Sequence, residues 1–221
     1  MSVLAVVGLA KEARIARRAG LVPVVGGGDS LLLVKRLNAA APGATAVVSF
    51  GIAGALAPLL QTGDIVIATH VVSENDHYVC DPGWSQNLRG KLPQARSVVI
   101  VGVNEVVSHM GTKKSLFRTT GAHAVDMESH IAARFAHERG LPFVVLRAIC
   151  DDALRTLPPA ALEPLTPGGR LRLVSVLKSL LRDPSQFPEL IQTGREAGVA
   201  FRALLRCRNL LGRGLGCPYF G

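Results

Sequence analysis

The segment Ala122–Asp152, AHAVDMESHIAARFAHERGLPFVVLRAICDD, is the stretch around which the rest of the chain is read. Its apolar spacing divides it into a short run from Ala122 to Val125, a helical period of about a dozen residues, a turn, and a second apolar run from Phe143 to Ile149. Asp126 is placed to cap the helix, Gly140 falls just past its last turn, and Pro142 prevents it from continuing. A strand, a helix and a buried strand in succession predict an α/β fold built on a largely parallel sheet. In open α/β sheets ligands bind beyond the carboxyl ends of the strands. Glu128 stands at the helix N-terminus, where unpaired amides favour an ionised carboxylate, and Asp151 stands just beyond the second run. The two carboxylates, 151 − 128 = 23 residues apart, are therefore expected to face one cleft.

Composition bounds this reading. A chain of 221 residues with 48% hydrophobic content can bury one domain, and a single domain is expected over 1–221. The four cysteines, Cys80, Cys150, Cys207 and Cys217, show no C-x-x-C spacing, which argues against a zinc site or a disulfide framework and for a reducing, cytoplasmic setting. No metal site is expected. Ser2 to Ala10 is apolar, but Lys11, Glu12 and Arg14 follow too soon for a signal peptide or a membrane span. The protein is expected to be soluble or peripheral at the inner face of the membrane.

The net charge is +9, and nine Lys or Arg between Arg170 and Arg213 stand against Asp183, Glu189 and Glu196, so 9 − 3 = +6 of it lies in the final quarter. Such a balance suits an anionic partner, nucleic acid or an acidic membrane surface, or equally a solvated helix face. No specific nucleic-acid contact is expected. Apolar periods over 171–181 and 199–211 predict two helices in a basic region spanning 166–211. Arg195, Arg202, Arg206 and Arg213 form one basic stripe on the last helix, opposite Phe201, Leu204, Leu205 and Leu211. That helix either packs on the core with a charged rim or lies in a membrane interface. The glycine-rich segment 212–221 reads as a mobile tail.

Upstream, Val3–Gly8 is a buried-type strand ending in glycine, and Gly26-Gly27-Gly28-Asp29-Ser30 precedes a helical pattern from Leu31 to Asn38. Glycines there allow close approach of backbone amides to a phosphate, as they also allow an ordinary turn. Ala46–Phe50 is a further strand, and Gly51-Ile52-Ala53-Gly54 is expected to turn into a short helix ending near Pro58. His77 has no nucleophile partner in the pattern, so a surface or hydrogen-bonded role is expected for it. Lys113, Lys114 and Arg118 read as solvated residues of a short helix, with a phosphate contact as the functional alternative.

Val125-Asp126-Met127-Glu128-Ser129 followed by Val144-Val145-Leu146-Arg147-Ala148-Ile149-Cys150-Asp151 resembles the V-x-M-E and V-x-R-A-I-S-D motifs of the nucleoside phosphorylases and adenosyl-type nucleosidases, at their spacing and without a gap. Ser49-Phe50-Gly51-Ile52-Ala53-Gly54-Ala55-Leu56 and Gly63-Asp64-Ile65-Val66 resemble the G-S-A-G-G-L and G-D-I-V motifs of the same family. Within it the chain is most similar to the hopanoid-associated phosphorylases. The resemblance implies a three-layer α/β/α domain with a central mixed, mostly parallel sheet, and an enzyme that cleaves an N-glycosidic bond to release adenine. The substrate would be a purine nucleoside or an adenosyl lipid such as adenosylhopane, in hopanoid biosynthesis. Phosphate would be co-substrate, without a cofactor, and the protein a glycosyltransferase. A homodimer is the expected assembly.

By the same resemblance Asp151 is the general acid that protonates purine N7, which requires its protonated form and is attributed to burial beside apolar strand residues. Glu128 accepts the ribose hydroxyls and Met127 packs beneath the sugar. Val106 and Val107 stand where the family packs on adenine, Gly51 and Ile52 border the substrate, and Gly8, Gly27 and Gly28 border the phosphate. In the nucleosidases a glutamate five residues after the glycine matching Gly8 activates water. That position here is Ala13, with Glu12 rotated from it by about 100° on a helix. Loss of the base favours phosphate as nucleophile; hydrolysis of a methylthioadenosine- or adenosylhomocysteine-type nucleoside is the alternative, and a non-catalytic relative binding membrane or nucleic acid a third reading.

Overall fold

The computed structural model describes residues 2–163 and 165–220. Its elements in order are β1 (Ser2–Val7), α1 (Ala10–Arg18), β2 (Val22–Val25), α2 (Ser30–Ala40), β3 (Ala44–Ala55), β4 (Ile65–Val72), β5 (His77–Val79), α3 (Pro82–Lys91), β6 (Arg96–Gly102), α4 (Met110–Thr120), β7 (Ala124–Asp126), α5 (Ser129–Glu138), β8 (Phe143–Asp151), α6 (Leu173–Arg182) and α7 (Phe187–Leu211). The strands form one mixed sheet in the order β2-β1-β3-β7-β6-β4-β5. Strand β8 pairs in parallel with β3 and antiparallel with β4, which closes β3, β8, β4, β6 and β7 into a ring. The expected strand–helix–strand unit is thus β7, α5 and β8, and β8 is buried along almost its whole length because it has strands on both sides.

Helices cover both faces. Val3, Ala5, Val7, Val48, Phe50, Val144 and Leu146 point to one side, where they meet Ile15 of α1, Trp84 of α3 and Leu204 of α7. Leu4, Val6, Val47 and Val145 alternate to the other, against Leu33 of α2 and Ile131 of α5. This two-residue alternation on a sheet with helices on both faces is the three-layer arrangement expected from the sequence.

Three local expectations are corrected. Residues 51–55 continue β3 instead of turning into a helix, because Gly54 and Ala55 pair antiparallel with Val125 and Ala124, a contact no local propensity reports. Helix α7 begins at Phe187, twelve residues before 199, and runs through Gly194 and Gly198; packing of one face against β8 and α1 overrides their low helix propensity. The tail docks. Leu215 is buried and accepts a hydrogen bond from the Trp84 indole at 3.1 Å, the Gly214 amide donates to Ala19 O, and the Tyr219 hydroxyl donates to Asp81. Phe201, Leu204 and Leu211 of α7 are buried, so this helix packs on the core and keeps Arg195, Arg202 and Arg206 at its solvated rim, while Arg213 lies past its end, over the Phe220 ring. His77 is exposed and stacks on His70, in keeping with a surface role.

Candidate functional site

The end of β1, the middle of β3, the turn after β7 and the second half of β8 bring an unusual number of charges inside the molecule. Arg147 interrupts the apolar run of β8 and is completely buried. A buried guanidinium is tolerable only when carboxylates and hydrogen-bond acceptors surround it. Its Nε lies 2.9 Å from Asp126 Oδ2, and its Nη2 donates to Ser49 Oγ at 2.7 Å and reaches Glu128 Oε2 at 3.4 Å. Asp126 in turn organises the start of α5, since its Oδ1 accepts the amides of Glu128 and Ser129 and its Oδ2 the Ser129 hydroxyl. Asp126 is therefore the cap that the sequence suggested, and Glu128 is held at the helix entrance beside Arg147.

Glu12 completes this cluster. Helix α1 begins at Ala10, so Glu12 is its third residue and folds back over the end of β1: Oε2 accepts the amides of Gly8 and Leu9 at 2.9 and 2.8 Å. Oε1 crosses to β3 and accepts the Ile52 amide at 2.8 Å. Ala13, the position indicated by the ungapped motif, is buried in the helix-side core instead. The capping geometry of α1, which gapless alignment cannot see, therefore makes Glu12 the carboxylate of the site. Two glycines make room for it. A Cβ on Gly51 would lie 2.4 Å from Glu12 Oε1 and 2.6 Å from Arg147 Nη1, and one on Gly8 would lie 2.6 Å from Glu128 Oε1.

Three buried carboxyls thus share one guanidinium. Burial pushes Glu128 up to about 7; Asp126 and Glu12 add to this and Arg147 opposes it. Burial also raises Glu12, against the pull of Arg147 and the three amides. Ionised together, the three carboxyls outnumber the single guanidinium, a balance that suits a cationic species better than an anion.

Asp151 lies at the end of β8, buried but not in the apolar surroundings expected for it. Lys113 Nζ sits 2.5 Å from its Oδ2, and the Cys150 thiol donates to its Oδ1 at 2.9 Å. Lys113, expected to be solvated, is fully buried and is the one buried residue of α4. Its remaining protons go to the carbonyls of Asp152 and Arg155 at 2.8 and 3.0 Å. The exposed neighbours Lys114 and Arg118 gave no sequence signal to distinguish Lys113, because on a mostly polar helix one inward lysine has no periodicity.

Met127 and Glu128 line a narrow cleft together with Gly26, Gly28, Asp29, Ser30 and Leu33. Asp29 caps α2 by accepting the Leu32 amide, and Asn104 ties the Ser30 hydroxyl to the His130 ring. The side chain of Ile52 packs on the core while its amide is held by Glu12. Val107 packs near Val101 and Val125, and Val106 is half exposed beside it. The Gly8 amide is taken by Glu12, and the Gly27 amide donates to Gly8 O at 3.1 Å. A strap formed by Thr166–Arg170 lies over this corner: Gly169 O accepts the Ala10 amide, and a Cβ on Gly27 would meet Thr166 O at 2.8 Å.

The description of the phosphorylase superfamily matches residues 29–167, more than half of the chain and all of the Asp126, Glu128, Arg147 and Asp151 constellation. The chain belongs to that superfamily. Among superfamily relatives it is 28% identical over 130 residues to a 5′-methylthioadenosine/S-adenosylhomocysteine nucleosidase of Anoxybacillus flavithermus, a match covering 48% of this chain and 56% of the relative. The chain thus spans little more than half the length of that curated relative. Similar solved folds include a Helicobacter pylori nucleosidase mutant with 5′-methylthioadenosine in its active site, at a TM-score of 0.66 and 14% identity, covering 95% of this chain and 97% of the other. They also include an S-adenosylhomocysteine nucleosidase of Streptococcus pyogenes, at a TM-score of 0.63 and 18% identity over 93% and 97% of the two chains. At these identities the likeness establishes the superfamily fold. Glu12 lies before the matched segment, so its place in the site rests on its hydrogen bonds in this structure.

Proposed function

We propose that this protein is a hydrolytic nucleosidase that cleaves the N-glycosidic bond of an adenosyl-type nucleoside, of the methylthioadenosine or adenosylhomocysteine kind, and releases adenine. The observation that carries the choice of water over phosphate is the insertion of Glu12 into an already acidic cluster. A phosphate dianion would have to approach Glu12, Asp126 and Glu128, while the cation in contact with them, Arg147, is fully occupied. The amides of Gly8, Leu9 and Ile52 that could have cradled it already serve Glu12. The same arrangement supplies what hydrolysis requires, a buried carboxylate to take a proton from water, and it replaces the phosphorolytic expectation drawn from Ala13.

In this reading Glu12 accepts a proton from water as its oxygen attacks the anomeric carbon. Glu128 accepts the ribose hydroxyls, and that bond strengthens as the sugar gains oxocarbenium character. The ionised Glu128 beside Arg147 stabilises the same developing positive charge. Asp151 relays to N7 of the departing purine a proton drawn from the Lys113 ammonium that donates to its Oδ2, so it ends as the carboxylate it was, hydrogen-bonded to a neutral Lys113 amine and the Cys150 thiol. Met127, beside Glu128 in the cleft, packs against the sugar.

The test is adenine release from 5′-methylthioadenosine, S-adenosylhomocysteine and an adenosine bearing a long 5′ hydrocarbon, each with and without inorganic phosphate, with the sugar product identified by mass. Free sugar carrying oxygen from isotopically labelled water is expected. A sugar 1-phosphate would overturn the assignment of water, and exclusive turnover of the hydrocarbon substrate would restore the adenosyl-lipid reading.

A further inference from the structure

Helix α6 is amphipathic in the reverse sense. A surface helix ordinarily buries its apolar stripe and presents charge to solvent. In α6 the buried residue is Ser179, whereas Leu173, Val174, Leu177 and Leu181 are 75%, 68%, 58% and 74% exposed. Leu173, Leu177 and Leu181 recur every four residues, so with Val174 they form a single stripe about 100° wide. Leu171 before the helix and Phe187 after it are each 57% exposed and extend the apolar surface at both ends. Val176 and Leu180 are half-buried against the body of the protein, and isolated exposed leucines are commonplace, but four exposed apolar residues contiguous on one helix face mark an interaction surface.

The charges around the stripe identify what it meets. Arg170, Arg172, Lys178 and Arg182 are exposed, and no acidic residue occurs between Arg170 and Arg182. A second copy docked on this face about a two-fold axis would bring that basic rim against itself. An anionic bilayer offers the complement of both features: acyl chains for the leucines and headgroup phosphates for the rim. The geometry agrees, since no described helix is long and apolar enough to cross a membrane. Ten residues span about 15 Å and are suited to lying in the interface plane.

We infer that the Leu173–Leu177–Leu181 face of α6, rimmed by Lys178 and Arg182, seats this protein reversibly on an anionic phospholipid surface. The inference stands apart from the reading of the active site, although the strap 166–170 leads directly from the corner over Gly8 and Gly27 into this helix. It also moves the membrane contact away from the arginine stripe of α7, whose apolar side is spent on the core.

The experiment is cosedimentation of the full chain with phosphatidylcholine vesicles containing phosphatidylglycerol or none, at low and high salt. Binding is expected to the anionic vesicles and to weaken with salt. Lys178→Gln/Arg182→Gln should lower the partition coefficient about thirtyfold, the effect of two interfacial charges. Leu173→Ser/Leu177→Ser should lower it at least as far while changing the urea midpoint little, because Leu173 and Leu177 are 75% and 58% exposed. Unchanged binding by the leucine variant would overturn the proposal. So would loss of binding only on replacing Arg195, Arg202 and Arg206, which would make the attraction a diffuse property of α7. A leucine variant that binds normally but dissociates a dimer in sedimentation velocity would reassign the face to self-association.

Discussion

Replacing Lys113 by Met tests the most improbable element of this structure, a fully buried ammonium. Met keeps nearly the length of the side chain and removes its charge. Three acceptors would lose their donor: Asp151 Oδ2, Asp152 O and Arg155 O. Breaking a buried ion pair from one side costs about 3–5 kcal/mol, because the carboxylate is left without compensation; the two carbonyls raise the figure toward its upper end. With a urea dependence of about 2–3 kcal/mol per molar, the midpoint should fall by roughly 1.5 M. The partner variant supplies the internal check. Asp151→Asn removes the charge that Lys113 leaves behind, so the double variant should be less destabilised than the sum of the singles by about 1–3 kcal/mol. The assay is equilibrium urea unfolding of the four proteins of the cycle at 15 °C. A loss below about 1 kcal/mol in Lys113→Met, or strict additivity, would refute the coupling on which the role of Lys113 beside the proton donor is built.

Glu12→Gln should reduce adenine release by roughly a hundred- to ten-thousandfold, the usual worth of a general base, and Ala13→Glu in that background should not restore it, since position 13 faces the core; a Glu12→Gln enzyme within twofold of wild type in single turnover, with its unfolding midpoint retained, would remove Glu12 from the chemistry. The raised Glu128 makes two predictions with one cause. Because the ionised form accepts the ribose hydroxyls, kcat/KM should climb with pH through about 7. Because the folded state holds this proton between the ordinary carboxyl value of 4.5 and about 7 while the unfolded state has released it, stability should fall across that window by at most roughly 3 kcal/mol. Glu128→Gln should flatten that decline, and an unchanged pH dependence of stability in the variant would show that another group is responsible.

The local pattern determined a good deal. Apolar runs, Gly140 and Pro142 placed β7, α5 and β8, and the Asp126 cap was legible because capping is a matter of residues two or three positions apart. Glu128 and Asp151 could be nominated because their spacing matched a family motif, and that motif also contained Arg147, a charge inside a buried strand that had to have partners. Which partners was not legible. Asp126 and Glu128 reach it from another strand and turn, Ser49 from β3, and Glu12 from across the sheet; each pairing depends on the order of strands. Lys113 was misread for the same reason, since its acceptors lie 38 to 42 residues away in sequence. Glu12 was set aside because a one-residue offset on an ideal helix is a rotation of about 100°, and only the folded start of α1, with the Gly8, Leu9 and Ile52 amides converging on one carboxylate, turns it into the site. The apolar period of α6 was equally plain in the sequence, but periodicity fixes a helix's face and not its direction. Tertiary packing, which buries Ser179 and leaves Leu173, Leu177 and Leu181 in solvent, decided that this face looks outward.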